Sequence, residues 1–566
     1  MSLLELPSYL LFYLGAFAAL VLPGNVRGWV LLAVPLLSGW WLWQTPVTLE
    51  LSLRILDLQL VPYRADKLSL LFAILFHIAA FLGLLFALHL RDRLQQAAAM
   101  LYVAAALGAV FSGDLLSLLV NWELLALSSV CLIWARRTPR AFAAGMRYLA
   151  LQVLSGVLLL AGGIAWFTQQ GDLNFGFIGL DSRAGWLLFS AFGIKAAFPL
   201  VHTWLTDAYP EATPTGTVFL SAFTTKVAIY ALARGFPGSE PLIYIGAAMT
   251  CFPIFYAVIE NDLRRVLAYS LINQLGFMVC GIGVGTALAL NGAVAHAFND
   301  VIFKGLLFMS MGAVLFKTGK INGSELGGLY KSMPKTAALC MVGAASISAF
   351  PLFSGFVSKS MIMSALMLEQ GEGHGLYSIV WLALLFASAG VFHHAGIKIP
   401  YFAFFAHDAG IRTGEPPLNM LMAMLLAAIL CVAIGCYPAL LYAQLPWDAD
   451  YNPYDVSHVL AQLQLLFFAA LAFAWLNLKG LYPPELKSVN LDVDWVYRKG
   501  IAVPLLRWQQ RLASGCSQGL ARAATYARRA LAVIAERHNG MSHMPAALVL
   551  PWVAVLLAVW VISSNV

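Results

Sequence analysis

Seven ionisable side chains stand within long apolar stretches of this chain: Glu123, Lys195, Lys226, His296, Asp300, Lys304 and Lys359. An ionised group at the centre of a bilayer costs about 2.5–3.5 kcal/mol on insertion scales, so it usually faces the interior of a helix bundle and marks an ion path. The alternative is a structural ion pair that locks two helices together. Because four of these groups fall in separate apolar runs, the sequence favours a path for protons.

His296, Asp300 and Lys304 follow one another at four-residue spacing. In a helix, successive members are one turn or about 6 Å apart on nearly one face. Imidazole, carboxylate and ammonium groups cover a wide range of proton affinities, so this stripe predicts a proton relay. His296 and Asp300 also have the spacing of metal ligands. Lys304 would repel a cation, however, and no other His or Cys is close in sequence, so we predict no metal site.

Two of the lysines stand beside residues that interrupt helices. Lys195 precedes Pro199, and Lys359 follows Phe350-Pro351 and Ser354-Gly355. Proline removes a backbone donor, and a membrane tolerates this only where protein or water satisfies the freed groups. A lysine at such a break can meet water and a partner charge. His393, His394 and Lys398 either extend the path or only reach towards the membrane interface.

The elements that carry these residues are predicted to be membrane-spanning helices. The chain is 61% hydrophobic and 11% charged, which excludes a soluble enzyme, a disordered chain and a nucleic-acid-binding protein. At about 20 apolar residues per span, the pattern predicts an all-α polytopic membrane protein with about sixteen transmembrane helices. They are expected at 7–22, 27–44, 66–90, 95–111, 114–134, 141–168, 184–207, 213–236, 240–260, 262–285, 286–317, 335–366, 375–403, 418–443, 455–482 and 546–563.

Sequence motifs for cofactors are missing from the chain. The seven cysteines form no C-x-x-C pair, and we interpret them as small apolar side chains. No Walker loop, G-x-G-x-x-G or H-E-x-x-H motif occurs. We therefore expect no cofactor, and specifically no cysteine-ligated iron–sulfur cluster and no attached c-type haem.

Loop charges predict the orientation. Basic residues follow the odd-numbered spans, whereas the loops after spans 12 and 14 carry acids and no Lys or Arg; the loop after span 2 is the exception. The positive-inside rule then places both termini on the outer side. Segment 47–62 alternates apolar and polar residues and predicts a short hairpin outside the lipid. Residues 487–540 are rich in Arg and Lys, which indicates amphipathic helices either on the cytoplasmic membrane surface or against another protein of an assembly.

Several motifs together resemble one family of membrane proteins. They are Trp122-Glu123, Lys195 with Trp204-Leu-Thr-Asp207, Asp262-Leu-Arg-Arg-Val-Leu-Ala-Tyr-Ser270, His296-x-x-Asn299 with Phe303-Lys304, and Phe350-Pro351 through Lys359. As a set they resemble the antiporter-like subunits shared by respiratory complex I and Mrp-type cation/proton antiporters, over roughly residues 66–405. Lys226 and the segment from Lys398 look most like the D subunit of Mrp antiporters.

The resemblance implies two inverted five-helix repeats, spans 4–8 and 9–13, with broken helices 7 and 12 and ion sites near the midplane. It implies that Glu123 is the acid paired with Lys195, that Lys226 is a bridging base, and that His296 and Lys304 form the central relay. Lys359 becomes the terminal exchanger. Asp300 stands where many relatives have a second His, and would either hold Lys304 charged as a pair or itself bind a cation.

The domain organisation follows from these spans. We expect N-terminal helices and the hairpin in 1–94, the first repeat in 95–236, the second in 240–405 and additional helices in 406–482. A basic amphipathic cytoplasmic segment in 483–545 and a last transmembrane helix in 546–566 complete the prediction.

Three functions agree with these features. The first is the proton-translocating membrane subunit of a multisubunit Mrp-like Na⁺/H⁺ antiporter in the bacterial inner membrane, a transporter component rather than a catalytic chain. The second is an antiporter-like subunit of a complex I-type redox-driven proton pump, that is, of a translocating NADH:quinone oxidoreductase-like complex. The third is a proton-conducting partner that energises an inorganic-carbon uptake complex. All three imply other membrane subunits, protons and possible Na⁺ transport, and none involves nucleic acid.

Overall fold

A computed structural model describes residues 6–55, 58–369, 375–483, 485–486, 490–501, 504 and 507. The chain divides into two units, Met1–Asn490 and Leu491–Val566. In the second unit, Val496–Ile501 forms a π-helical turn, and Arg498 Nε lies 2.9 Å from Asp494 Oδ2. The predicted helix 546–563 and most of the basic stretch 487–540 lie outside the described residues.

The first unit is built almost entirely of helices. Twelve helical segments of the described part are long and apolar enough to cross a membrane. The α-helices are α1 Leu10–Val21, α2 Gly24–Gln44, α3 Lys67–Phe86, α4 Arg93–Phe111, α5 Leu115–Trp134, α6 Pro139–Gln170, α7 Arg183–Lys195, α8 Thr203–Ala208, α9 Gly216–Ala222, α10 Thr224–Gly235, α11 Pro241–Ile259, α12 Leu263–Val284, α13 Ala287–Thr318, α14 Pro334–Ile347, α15 Ser354–Leu368, α16 Gly375–Val391, α17 Leu418–Cys436, α18 Ala439–Tyr442 and α19 Val456–Leu478.

Four of the predicted runs are interrupted. The run 184–207 becomes α7 and α8, 213–236 becomes α9 and α10, 335–366 becomes α14 and α15, and 418–443 becomes α17 and α18. Non-glycine residues with positive φ occupy two of the interruptions: Ala197 at 61° and Leu200 at 74°, then Ala349 at 57° and Leu352 at 73°. Such left-handed residues persist only where the surrounding packing holds them. Pro199 and Pro351 lie within the same interruptions and remove backbone donors.

Polar side chains set the starts of the central helices, and the pattern occurs twice. Asp114 caps α5 and Thr138 caps α6; Asp262 then caps α12 and Thr286 caps α13. Each side chain accepts a hydrogen bond from the first-turn N–H groups that have no partner within the helix. Asp114 also pairs with Asn174, and Asp262 with Asn322, in isolated β-bridges.

A two-stranded hairpin lies between α2 and α3. Strands β1 Glu50–Ile55 and β2 Leu58–Arg64 pair antiparallel, with Glu50 opposite Arg64. The N–H of Val61 donates to Asp114 Oδ2 at 2.7 Å. The hairpin therefore packs against the start of α5, and its position agrees with the segment predicted at 47–62.

Several of the basic residues predicted to follow the odd-numbered spans contact residues that follow another odd-numbered span. Arg137 Nη2 lies 2.9 Å from Asp92 Oδ2, and Arg140 Nη2 lies 2.6 Å from Glu211 Oε1. Arg264 donates to the carbonyls of Tyr209 and Ala212. Each contact joins two loops that the charge pattern assigns to the same side of the membrane.

Candidate functional site

Lys195 is the last residue of α7, and it is fully buried. Its Nζ donates a 2.8 Å hydrogen bond to the carbonyl of Trp122 and lies 4.8 Å from the centre of that indole ring. Trp122 is fixed in turn by a 2.9 Å hydrogen bond from its Nε1 to Ser155 Oγ. The end of α7 therefore aims the lysine at the middle of α5, next to Glu123.

The carboxylate of Glu123 lies against the backbone of α6 at Gly156. A Cβ at Gly156 would overlap Glu123 Oε1, so a larger residue cannot stand there unless the carboxylate moves. Oε1 is buried and accepts no hydrogen bond from the described residues. A carboxylate in this environment is stabilised chiefly by a nearby cation, and Lys195 supplies one.

Lys226 and Asp300 form an ion pair between α10 and α13. Lys226 Nζ lies 2.5 Å from Asp300 Oδ2, and neither side chain is exposed. Lys226 also donates to the carbonyl of Ser221 at 3.3 Å. That carbonyl is near the end of α9, where the interruption at Phe223 leaves helix carbonyls without their usual partners.

His296 connects α13 to two neighbouring helices. Its Nε2 is 3.0 Å from Gln274 Oε1 on α12, and its Nδ1 is 3.0 Å from Ser358 Oγ on α15. Asn299 Nδ2 donates to the same Ser358 Oγ at 3.0 Å. The imidazole therefore has a polar contact on each side, and one of these leads to the residue that precedes Lys359.

Lys304 and Lys359 are both buried, and each donates a hydrogen bond to a neighbouring helix. Lys304 Nζ donates to Ser270 Oγ on α12 at 2.8 Å. Lys359 Nζ donates to the carbonyl of Ile347, at the end of α14, at 3.3 Å and lies 4.8 Å from the ring centre of Phe277. The interruption between α14 and α15 thus supplies an acceptor for Lys359, as the proline pattern suggests.

The structure brings all seven predicted residues into the helix bundle, in three groups. They are Glu123 beside Lys195, Lys226 paired with Asp300, and His296, which shares α13 with Lys304 and contacts the residue before Lys359. Asp300 forms an ion pair with Lys226 on α10, because its carboxylate reaches from α13 to the adjacent helix.

Sequence reasoning missed the small polar partners of these groups. Ser270 and Gln274 are one turn apart on α12, and they contact Lys304 and His296. Ser358 links His296 to α15. Polar residues at four-residue spacing inside an apolar span are a signal that would have identified the first two.

Lys398 contacts the end of α11. It is fully buried, its Nζ lies 2.9 Å from Glu485 Oε1, and it donates to the carbonyls of Val258 and Glu260 at 2.7 and 2.6 Å. Burial raises the pKa of the Glu485 carboxyl above its ordinary value, and the charge of Lys398 opposes this. Lys398 thus fastens the end of α11 to the segment after α19. Among the described residues, no group of three or more His, Cys, Asp or Glu side chains is arranged to hold a metal ion.

Comparison with known proteins finds a family match in the central region. Residues 112–372, somewhat less than half of the chain, match the family described as NADH:quinone oxidoreductase/Mrp antiporter, transmembrane. The match includes all seven predicted site residues, confirms the resemblance stated above for this part of the chain, and makes the chain a multi-pass membrane protein.

Relatives include components of two kinds of assembly. The chain is 28% identical over 370 residues to hydrogenase-4 component B of Escherichia coli, covering 59% of this chain and 55% of the relative. It is 29% identical over 429 residues to the A subunit of the Na⁺/H⁺ antiporter of Alkalihalophilus pseudofirmus, covering 66% and 52%. The chain thus spans about half the length of these two relatives.

A solved structure has the same fold. The Mrp complex from Dietzia sp. DQ12-45-1b contains a chain that matches with a TM-score of 0.68 and 21% identity, covering 84% of this chain and 99% of that one.

Proposed function

We propose that this chain is the proton-translocating membrane subunit of a multisubunit Mrp-like Na⁺/H⁺ antiporter in the bacterial plasma membrane. One observation carries the proposal: four lysines, a histidine and an aspartate are buried in the helix bundle, with Lys226 and Asp300 joined as an ion pair. Each buried charge is costly in lipid, and a soluble protein would not need so many of them. The relatives that are named as Na⁺/H⁺ antiporter subunits indicate H⁺ and Na⁺ as the transported ions.

Two inverted five-helix repeats underlie this arrangement, with the broken helices at α7–α8 and α14–α15. The recurring Asp and Thr caps of α5, α6, α12 and α13 support the internal repeat. The paired positive-φ residues in the two breaks support it independently. In this plan, discontinuous helices carry the ion sites. Lys195 lies just before the break between α7 and α8, and Lys359 lies just after the break between α14 and α15. Both termini are on the outer side, as the loop charges predict.

Protons move through the groups in the order Glu123 and Lys195, Lys226 with Asp300, His296 and Lys304, then Lys359. A nearby carboxylate stabilises the ammonium form of a lysine, whereas burial stabilises the neutral form. A movement that separates a lysine from its carboxylate therefore releases a proton, and a movement that joins them captures one. Asp300 acts in this sequence as the counter-charge of Lys226.

A redox-driven pump is the second candidate, and the similarity to hydrogenase-4 component B favours it. In that case this chain still conducts protons, and electrons are handled by other proteins of the assembly. The two candidates differ in what drives transport: a Na⁺ gradient in the first, and an electron donor and acceptor in the second.

Reconstitution of the assembly purified with its native partners tests the proposal. We expect wild-type vesicles to move protons in response to a Na⁺ gradient, as followed with an internal pH dye. Glu123→Gln and Lys195→Met should abolish this flux while the complex still elutes intact from a sizing column. Lys320→Met, which changes an exposed lysine, is the matched control. Proton flux that requires an electron donor would favour the second candidate, and unchanged flux in both buried variants would refute the relay.

A further inference from the structure

A cavity connects the buried Lys359 to the start of α19. It has a volume of about 100 Å³ and lies between α15, α16 and α19. Its polar lining residues are Lys359, Ser360, Ser364, Ser388, His458 and Gln462. On the order of 10–15 Å³ of such space suffices for one water when polar partners are available, so this cavity admits several water molecules.

A hydroxyl group in the lining favours water over close packing. Ser388 Oγ is buried and has no hydrogen-bond partner among the described residues. A buried hydroxyl without a partner is costly, and water is the usual remedy. Gln462 Nε2 donates to the carbonyl of Ser348 at 3.0 Å, which ties α19 to the break between α14 and α15. The helix that closes the cavity is thus attached to the break that positions Lys359.

His458 stands at the outer end of the cavity, in the first turn of α19. Its Nε2 is 3.1 Å from Ser364 Oγ, which lines the cavity, and its Nδ1 is 2.8 Å from Asp455 Oδ2. The side chain of His458 is 32% exposed and that of Asp455 is 48% exposed. The two ring nitrogens therefore face opposite ways, one towards the cavity and the other towards the surface.

Three titratable groups of the described residues lie around His458. Asp455 precedes it on the chain, Tyr451 lies with its ring centre 6.3 Å away, and Lys359 lines the same cavity. Tyr451 Oη is 3.0 Å from Ser364 Oγ. Asp455 Oδ2, 2.8 Å from His458 Nδ1, is placed to accept a hydrogen bond from that ring nitrogen.

We propose that His458 is the surface group of a proton port, through which Lys359 exchanges protons with the aqueous phase. The inference rests on the proposed function and extends it to a helix outside the family match. In the outward direction, the ammonium of Lys359 loses a proton to cavity water and His458 gains one at Nε2. The imidazolium then loses its Nδ1 proton to the water beside Asp455, which returns a neutral histidine and leaves a neutral Lys359.

Flux measurements on the reconstituted assembly test the port. We expect His458→Gln to lower proton flux by about tenfold or more, because a positioned proton-transfer group contributes on the order of 10²–10⁴-fold to a rate. His458→Glu should restore part of the flux and shift its dependence on pH at the port to lower pH, because a carboxyl group titrates below an imidazole. A purely structural role for His458 predicts no such shift. His407→Gln, at an exposed histidine, is the control.

Labelling supplies a readout that does not depend on transport. Ser388→Cys in the intact assembly should react with a small water-soluble thiol reagent faster than the buried native Cys340, as mapped by peptide mass spectrometry. Wild-type flux and pH dependence in His458→Gln, or labelling of Ser388→Cys no faster than that of Cys340, would overturn the port. An absence of flux in the wild-type assembly would instead overturn the proposed function.

Discussion

Lys226 on α10 and Asp300 on α13 are joined by a 2.5 Å contact between Nζ and Oδ2, and both side chains are wholly buried. The second carboxylate oxygen, Oδ1, has no hydrogen-bond partner among the described residues. The pair is therefore neutral as a unit but incompletely satisfied. A movement of α10 relative to α13 would expose each charge to the other groups of the relay, which is the property that a proton-transfer step needs.

Removing one member of this pair should destabilise the protein as well as stop transport. Asp300→Asn leaves the Lys226 charge buried without a counter-charge, which costs about 3–5 kcal/mol. We expect a lower thermal unfolding midpoint in detergent and loss of proton flux. The double variant Lys226→Gln with Asp300→Asn removes both charges and should regain most of the stability without regaining flux. Full flux in the double variant would show that the pair is structural only.

The space beside Glu123 gives a second prediction. Gly156→Ala places a methyl group where the Glu123 carboxylate lies, so the carboxylate must turn away from Lys195. We expect reduced proton flux with little loss of stability, because the carboxylate is the end of a flexible side chain. Gly163→Ala on the same helix is the matched control, since its Cβ would be 3.9 Å from the nearest atom, Leu115 Cβ. Equal flux in the two variants would contradict the placement of Glu123.

The sequence predicts which residues are buried better than it predicts what they contact. Apolar runs identify the helices because crossing a bilayer requires about 20 apolar residues, and the buried Lys195 and Lys304 follow from their place in those runs. The break after Lys195 follows from Pro199. The partner of Asp300 does not follow from any local pattern, since it depends on how α10 packs against α13.

The same limit explains Lys398. Its position near the end of an apolar run does not indicate whether the side chain is exposed or buried. The choice is made by Glu485, which stands far along the chain and lies 2.9 Å away in the structure. Tertiary contacts over such separations are not encoded in spacing on one helix.

A third prediction concerns the link between the central relay and Lys359. Ser358 Oγ contacts both His296 Nδ1 and Asn299 Nδ2 at 3.0 Å. Ser358→Ala removes this connection, and we expect a slower proton flux with the assembly intact. Ser310→Ala is the control, because Ser310 on the same bundle donates within its own helix, to the carbonyl of Leu306. Equal flux in the two serine variants would exclude Ser358 from the path.

The fourth prediction is a dependence of stability on pH that arises outside the relay. Asp66 caps α3 and accepts from Ser69 N at 2.8 Å, while Arg234 Nη2 lies 2.9 and 2.6 Å from its two oxygens. Burial alone would raise the pKa of Asp66, but the charge and hydrogen bonds of Arg234 and the Ser69 N–H outweigh it and lower that pKa. This carboxylate therefore stabilises the fold above the ordinary aspartate pKa of about 3.9, and the contribution is lost as the pH falls through the lowered value.

We expect the thermal midpoint of the wild-type protein to fall on acidification below about pH 4. Asp66→Asn keeps a capping side chain, because Asn and Asp cap helices about equally well, but it loses the ionic contact with Arg234. The variant should be less stable than wild type at neutral pH and should converge towards it in acid. Asp181→Asn, at an exposed aspartate, serves as the control and should follow the wild-type curve. A constant difference between Asp66→Asn and wild type at every pH would mean that the ion pair with Arg234 contributes no pH-dependent stability.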